Sequence, residues 1–284
     1  MIADRLRRVA EELLGRLDET DDLVAVGIGG SVARGTADRW SDLELGFFWR
    51  EPVSTGERTT WLSSLGRDLT DQHDLTGPPW SAGETLTWDD VSVDLVHRDL
   101  PGIEHELTLL LDEHDPHPRR SQLASVLTSL IPLRGDEQLA AWKTRLVTYP
   151  EELRRRVVEE HLFLTRAGIE LHRARRDGFL FRHALTEHQR RLVILLLALN
   201  RAWHPGYKRL STTLAGLSIA PSDLVARFEE TLDAEPDRAW TVMRSLIDDV
   251  LELIEEQLPT LDVAAARASF ERVLRPTLAD ELDR

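Results

Sequence analysis

Residues 24–49 read VAVGIGGSVARGTADRWSDLELGFFW, and this stretch contains two apolar runs separated by a glycine-rich turn. The first run, residues 23–28, stops at Gly29-Gly30-Ser31. The second run follows Asp42 and includes Glu44 among its apolar residues. Because alternate residues of a strand point to the same face, Asp42 and Glu44 are predicted to project side by side. Two adjacent carboxylates repel unless a cation lies between them, and hard oxygen ligands suit Mg²⁺ or Mn²⁺.

The turn between the two runs has a separate role. Gly29 and Gly30 have no Cβ atom, so a ligand can approach the backbone closely there. Ser31 is predicted to cap a helix over about residues 31–36, and a helix N-terminus offers free N–H groups to a phosphate. A phosphate-binding turn and a metal-binding acid pair on consecutive elements indicate metal-assisted phosphoryl or nucleotidyl transfer.

Together these motifs resemble the DNA polymerase β-like nucleotidyltransferase superfamily. Its signature is an apolar residue with Gly-Gly or Gly-Ser, a spacer, and then Asp-x-Asp or Asp-x-Glu between apolar residues. Here Ile28-Gly29-Gly30 is followed, after eleven residues, by Asp42-Leu43-Glu44-Leu45. The stretch GGSVARGTADRWSDLELGFFW looks most like the bacterial small-molecule branch, which includes antibiotic nucleotidyltransferases. The likeness is good over roughly the first 110 residues and loose beyond them.

The resemblance implies an α/β (α+β) domain with a short mixed sheet, followed by an all-helical C-terminal domain. It implies transfer of a nucleoside monophosphate from an NTP, with ATP expected, to an acceptor hydroxyl, with release of pyrophosphate. Asp42 and Glu44 would hold Mg²⁺ or Mn²⁺, while Gly29, Gly30 and Ser31 would bind the phosphates. Glu44 replaces the commoner Asp at the second acid position, and its extra methylene alters the metal geometry.

A third acid lies in a later strand. Residues 91–96 alternate between apolar and polar and follow the turn signal Asp89-Asp90. Asp94 lies in the middle of this strand, where an unpaired buried carboxylate would be costly. The residues alone also allow a salt bridge to Arg98 or a solvent-facing edge strand. The resemblance favours Asp94 as the third metal acid, which binds a second ion or acts as a base near the acceptor hydroxyl.

Three further residues are candidates for nucleotide binding. Arg34 follows the glycine turn and would contact the nucleotide or form an ion pair with Asp42. Residues 200–209, NRAWHPGYKR, combine basic and aromatic side chains that suit phosphate and base contacts. In the antibiotic-modifying branch a lysine of the helical domain often reaches the phosphates, and the resemblance gives this role to Lys208 with its neighbour Tyr207. A solvated basic loop is the alternative.

The chain is predicted to form two domains. Residues 1–115 would form the nucleotidyltransferase domain, and residues 116–284 would form a helical domain that closes over the substrates. Residues 112–120 are polar and contain prolines, which is typical of a linker. The predicted strands are 23–28, 43–49, 85–88 and 91–96, with a helix over 57–72. Beyond the linker, helices are predicted near 121–130, 136–148, 151–176, 182–201, 208–216, 222–233, 237–257 and 262–282, with prolines between many of them.

Composition narrows the choice of function. The 284 residues include no cysteine, which excludes thiolate catalysis and cysteine-based metal sites. The start lacks the features of a signal peptide, and the longest apolar run, Leu192–Leu199, is too short to span a bilayer. A cytoplasmic protein with no membrane partner is therefore expected. The sequence makes no prediction about oligomeric state.

The net charge of −15 opposes unspecific binding to a nucleic-acid backbone. It favours a small-molecule acceptor that is cationic or neutral, attracted by an acidic cleft. The acids expected around that cleft are Glu84, Asp89, Asp90, Asp99 and Glu104.

Two other functions stay open. One is a toxin-like nucleotidyltransferase that modifies tRNA or protein, which a strong basic patch around the cleft would favour. The other is a non-catalytic nucleotide-binding module, in which one of the three acids would point away from the others.

Overall fold

The structure is a computed structural model. It describes residues 2–74, 82–164 and 166–272. The chain divides into two compact units, Met1–Thr148 and Tyr149–Arg284. The predicted boundary at residue 115 falls inside the first unit, because residues 131–134 form a strand of its sheet. Among the described residues, no helix has both the length and the apolar character needed to cross a membrane.

The first unit contains a mixed six-stranded sheet with helices before, between and after the strands. The strands are β1 (Leu23–Ile28), β2 (Leu43–Trp49), β3 (Leu69–Asp74), β4 (Ala82–Trp88), β5 (Val91–Asp99) and β6 (Ile131–Arg134). The helices are α1 (Ile2–Leu14), α2 (Gly30–Ala33), α3 (Thr55–Leu62), α4 (Leu100–Leu111), α5 (Pro118–Ser129) and α6 (Asp136–Arg145). The strand order is β3-β4-β5-β2-β1-β6.

The centre of the sheet is the parallel pair β2 and β5, while the other paired strands run antiparallel. On one sheet face, both strands are apolar almost throughout. The buried residues of this face are Leu43, Leu45, Phe47, Trp49, Val91, Val93, Leu95 and His97. Helix α1 belongs to the same core, because its apolar residues recur at helical spacing and form one buried stripe. That stripe consists of Leu6, Val9, Ala10 and Leu13.

The opposite face of β2 and β5 carries small, polar and charged residues as well as apolar ones. Phe48 and Val96 on this face line a small cavity together with Leu123 and Leu127 of α5. Helix α5 therefore lies over this side of the sheet.

Strand β3 was not predicted from the sequence. Residues 57–72 were expected to be helical, but α3 ends at Leu62 and β3 begins at Leu69. Gly66 has a left-handed φ of 61° and ends the short 3₁₀ turn between them. The residues of β3 are mostly exposed and polar, so their sequence lacks the apolar alternation of a half-buried strand.

The second unit consists of helices and the segments that connect them, with no strand among its described residues. Its helices are α7 (Glu151–His161), α8 (Ala167–Ala174), α9 (Gly178–Leu199), α10 (Leu210–Ala215), α11 (Leu224–Asp233), α12 (Pro236–Gln257) and α13 (Ala264–Glu271). Residues Leu192–Leu199 of α9 are all buried, which confirms the prediction of a core helix. The predicted helix 151–176 is two helices, α7 and α8, and the predicted helix end beyond residue 272 lies outside the described residues.

A buried ionic cluster lies on the apolar side of the sheet. Glu84 accepts a hydrogen bond from Arg58 Nε at 2.9 Å, and its second carboxylate oxygen lies 2.9 Å from His97 Nε2. His97 Nδ1 in turn accepts the indole N–H of Trp49 at 2.9 Å. Burial lowers the pKa of His97, so its ring is neutral and Nε2 carries the proton that faces Glu84. Burial opposes the charge of Glu84, yet its hydrogen-bond partners keep its pKa below the usual range.

The Glu84→Gln variant should lose about 3–5 kcal/mol of unfolding free energy, because it leaves Arg58 in a buried site without its main counter-charge. The matched control is Asp74→Asn, which removes the second acid bound to Arg58, at 2.7 Å. Asp74 is exposed, so its loss should be much smaller. Urea unfolding of both variants measures the difference. Equal losses would contradict a dominant role for the buried pair.

Candidate functional site

Glu44 and Asp94 form a pair of acids on adjacent parallel strands. The register of β2 and β5 places the two residues directly opposite each other. Both side chains are half-buried and lie on the sheet face opposite the apolar core. Neighbouring strands are about 4.8 Å apart, so two carboxylates at paired positions repel each other. A bound cation would relieve this repulsion.

Asp42 lies immediately before β2, two residues from Glu44, and is half-buried. The loop that leads to it is held by its own hydrogen bonds. Asp38 Oδ1 accepts the backbone N–H of Trp40 at 2.9 Å, and the Ser41 hydroxyl accepts the backbone N–H of Asp38 at 2.9 Å. These contacts fix the start of β2.

Gly30 lies against the carboxylate of Glu44. Its φ is +59°, and a Cβ atom at this position would lie 2.5 Å from Glu44 Cδ. The backbone N–H of Gly29 donates to the carbonyl oxygen of Glu44 at 2.9 Å. Glycine is therefore required at position 30 for two reasons, a left-handed backbone and contact with an acid.

Ser31 does not cap the helix as predicted. The N-cap of α2 is Gly29, with no side-chain hydrogen bond, and the helix ends at Ala33. The hydroxyl of Ser31 is buried and has no hydrogen-bond partner among the described residues. A buried hydroxyl without a partner is rare in folded proteins.

Arg34 is exposed and follows α2. The ion pair with Asp42 that the sequence allowed is not formed in the described part of the chain. The salt bridge from Asp94 to Arg98, the plain alternative for Asp94, is not formed there either. Asp94 Oδ1 instead accepts the hydroxyl hydrogen of Thr85 at 2.8 Å.

The contact from Thr85 was missed by sequence reasoning. A signal for it was present, because β4 and β5 form a hairpin around the turn Asp89-Asp90. Counting outward from that turn places Thr85 opposite Asp94, as the register of the hairpin shows.

The predicted metal acids do not form a ready-made three-ligand cluster. Within residues 2–74, 82–164 and 166–272, no group of three or more His, Asp or Glu side chains is arranged to hold a metal ion. The carboxylate donors nevertheless suit Mg²⁺ by their chemistry. Mg²⁺ sites commonly use one or two carboxylates together with phosphates of the substrate, so a complete protein cage is not required.

Tyr207 and Lys208 belong to the second unit, and both are exposed. The Tyr207 ring lies edge-on to the His204 ring at 4.8 Å, and the Arg190 guanidinium lies 5.4 Å from it. His204 is buried, and burial lowers its pKa to about 4. Tyr207 is thus fixed by its neighbours, and the nucleotide role of Lys208 stays a prediction.

Three of the acids expected around a cleft have structural partners. Glu84 is buried in the ionic cluster described above. Asp99 caps α4 by accepting the N–H of Gly102 at 2.7 Å, and Glu104 accepts the indole N–H of Trp142 at 2.8 Å. These three carboxylates therefore stabilise the fold. They no longer support the argument that an acidic cleft attracts a cationic acceptor.

Residues 118–210 match a family described as a domain of unknown function, DUF4037. The match covers less than half of the chain, includes Tyr207 and Lys208, and excludes the three acids. No curated protein matches the sequence. The chain is similar to the crystal structure of a nucleotidyltransferase-like protein from Exiguobacterium sibiricum 255-15, with 14% identity over 91% of this chain and 78% of that one. The TM-score of 0.36 is too low to support an argument about fold or activity.

The Gly30→Ala variant should be less stable than Gly35→Ala, its matched control. Both glycines have a positive φ, +59° and +68°, but a Cβ at Gly35 would meet no atom within 4 Å. Gly35→Ala should cost about 1–2 kcal/mol from backbone strain alone. Gly30→Ala should cost more, because its Cβ must also displace the Glu44 carboxylate. Urea unfolding measures the loss of unfolding free energy in both variants. Equal losses would show that contact with the Glu44 carboxylate does not restrict position 30.

Proposed function

We propose that the protein is a metal-dependent nucleotidyltransferase. It transfers a nucleoside monophosphate from an NTP, with ATP as the expected donor, to a hydroxyl group of a small-molecule acceptor and releases pyrophosphate. The observation that carries the proposal is the pairing of Glu44 with Asp94 on adjacent strands, next to the Gly29-Gly30-Ser31 turn. Like charges at paired positions weaken a sheet, so their presence favours a role in binding a cation.

In this proposal Glu44, Asp94 and Asp42 hold Mg²⁺ or Mn²⁺ together with the substrate's phosphates. When bound, the ion supplies charge stabilisation for the phosphoryl oxygens. The N–H groups of the glycine turn and the hydroxyl of Ser31 bind the phosphates, and Arg34, Tyr207 and Lys208 contact the nucleotide. An unpartnered hydroxyl at Ser31 supports this assignment, since a phosphate oxygen would accept its hydrogen.

Asp94 also suits the role of base. Thr85 occupies its Oδ1, which leaves Oδ2 to accept the proton of the acceptor hydroxyl. The hydroxyl oxygen then bonds to the α-phosphorus, and the bond from that phosphorus to the bridging oxygen breaks. The electron pair leaves with pyrophosphate. The hydrogen bond from Thr85 orients the carboxylate for this step.

A second candidate is a non-catalytic nucleotide-binding module. The absence of a preformed three-acid cluster among the described residues favours it. The two functions differ in one measurement, which is transfer of label from an NTP. The test incubates the pure protein and Mg²⁺ or Mn²⁺ with labelled NTPs and a panel of hydroxylated compounds. It measures the label that each compound receives. Binding without transfer would support the module, and labelling of total tRNA alone would support the macromolecular alternative.

The Asp94→Asn variant should lose transfer by about a thousandfold, because a metal ligand or base is worth several kcal/mol of transition-state stabilisation. Its unfolding free energy without metal should stay within about 1 kcal/mol of the wild type, since repulsion with Glu44 is removed. The control is Glu51→Gln, an exposed acid just after β2. Full activity of Asp94→Asn in a transfer assay would reject the assignment.

The Lys208→Ala variant should weaken NTP binding about tenfold or more and leave acceptor binding unchanged, because a charge-assisted contact to phosphate is lost. Lys143 offers a matched control, since its ammonium group donates to the Leu130 carbonyl at 2.6 Å. Lys143→Ala should lower stability without changing nucleotide affinity. Titration with a non-hydrolysable NTP measures both, and an unchanged affinity for Lys208→Ala would support the basic-loop alternative.

A further inference from the structure

A cavity of about 50 Å³ lies between the sheet and α5, entirely within the first unit. Glu44 and Phe48 of β2 line it, with Arg98 of β5 and Leu123 and Leu127 of α5. It therefore lies next to the proposed active site, on the sheet face that carries the acids. Its walls are mostly apolar, but they include one acid and one base.

Arg98 interacts electrostatically with Glu106 and Asp99, but it forms no direct ion pair in the described part of the chain. Its Nη1 is buried without a hydrogen-bond partner, and no carboxylate there forms an ion pair with it. Glu106 and Asp99, the two acids that interact electrostatically with Arg98, have other partners. Glu106 lies 3.0 Å from Arg120 Nε, and Asp99 caps α4. Burial lowers the pKa of Arg98 to about 10, so the guanidinium is still protonated at neutral pH.

A largely buried guanidinium that has no direct ion pair and leaves an N–H group unsatisfied is expensive, and an anionic ligand would compensate for it. The cavity size limits that ligand. One water molecule needs about 10–15 Å³ of cavity volume, so this cavity can hold a group of roughly four heavy atoms. Acetate has this size. Charge narrows the choice further, because Glu44 already contributes one negative charge to the cavity wall and disfavours a dianion such as phosphate.

We propose that Arg98 binds a carboxylate group of the acceptor substrate in this cavity. The planar guanidinium matches a carboxylate with two parallel hydrogen bonds, and the leucines of α5 pack against the carbon attached to it. The carboxylate would orient the acceptor so that its hydroxyl lies on the sheet face of Asp94. The acceptor is then a small hydroxycarboxylic acid rather than a cation. This assignment to the acceptor rests on the proposed function, whereas carboxylate binding by Arg98 does not.

The binding test uses acetate with acetamide as its neutral isostere, without nucleotide or metal. Acetate should raise the melting temperature of the wild-type protein at constant ionic strength, and acetamide should not. In Arg98→Met the Kd for acetate should rise about tenfold or more, because the charge-assisted contacts are lost. An equal response to acetate and acetamide in the wild type would overturn the proposal.

Stability provides a second readout. Without acetate, Arg98→Met should melt at a higher temperature than the wild type, because it removes a buried guanidinium whose Nη1 has no hydrogen-bond acceptor. Arg120→Met is the matched control, since Arg120 is bound to Glu106 and to Asp115, both at 3.0 Å. It should melt at a lower temperature and keep the acetate response. A lower melting temperature for Arg98→Met would show that Arg98 has a structural role, and would overturn the proposal.

The transfer assay separates this proposal from the proposed function. A hydroxycarboxylic acid should accept label from the NTP better than its amide, and Arg98→Met should remove that preference. If acetate binding depends on Arg98 but no compound is labelled, the carboxylate site stands and the transferase function fails. If compounds are labelled but carboxylates have no advantage, the transferase function stands and the carboxylate site fails.

Discussion

The parallel register of β2 with β5 sets the two faces of the sheet. Leu45 and Leu95 pair on one face, which α1 covers, and Glu44 and Asp94 pair on the other. A shift of one residue in either strand would reverse every side chain of that strand. Asp94 would then enter the apolar core, where an unpaired carboxylate is costly. Burial of one face thus fixes the position of the acids on the other.

Charged side chains are arranged differently on the two faces of the sheet. On the core side, Arg58, Glu84 and His97 compensate one another, and each charge or polar group has a partner. On the opposite side, Glu44 and Asp94 repel each other, and Arg98 forms no direct ion pair among the described residues and leaves its Nη1 without a hydrogen-bond acceptor. Charges that are matched within the protein stabilise the fold. Two acids at paired strand positions, and a buried Arg98 Nη1 without a hydrogen-bond acceptor, indicate where ligands of opposite charge bind, and this contrast underlies both proposals.

Local sequence patterns predicted the elements with regular apolar alternation. The strands over 23–28 and 43–49 match β1 and β2, because each has a fully buried face and a glycine turn separates them. The polar β3 gave no such signal, and β6 is short and contains Pro132. The pairing of Glu44 with Asp94 depends on which strands become neighbours, which local pattern does not specify. The lack of a direct ion pair at Arg98 depends on the contacts that Glu106 and Asp99 make elsewhere. That arrangement depends on three-dimensional packing, so local patterns do not predict it.

The central claim is that Glu44 and Asp94 bind a metal ion with a nucleotide at the adjacent glycine turn. A crystal structure with Mn²⁺ and a non-hydrolysable ATP analogue tests it, because the anomalous signal of manganese locates the ion directly. The account predicts an ion within about 2.0–2.6 Å of oxygens from both carboxylates, and phosphates against Gly30 and Ser31. An ion bound away from these two acids, or a nucleotide bound elsewhere on the protein, would contradict it.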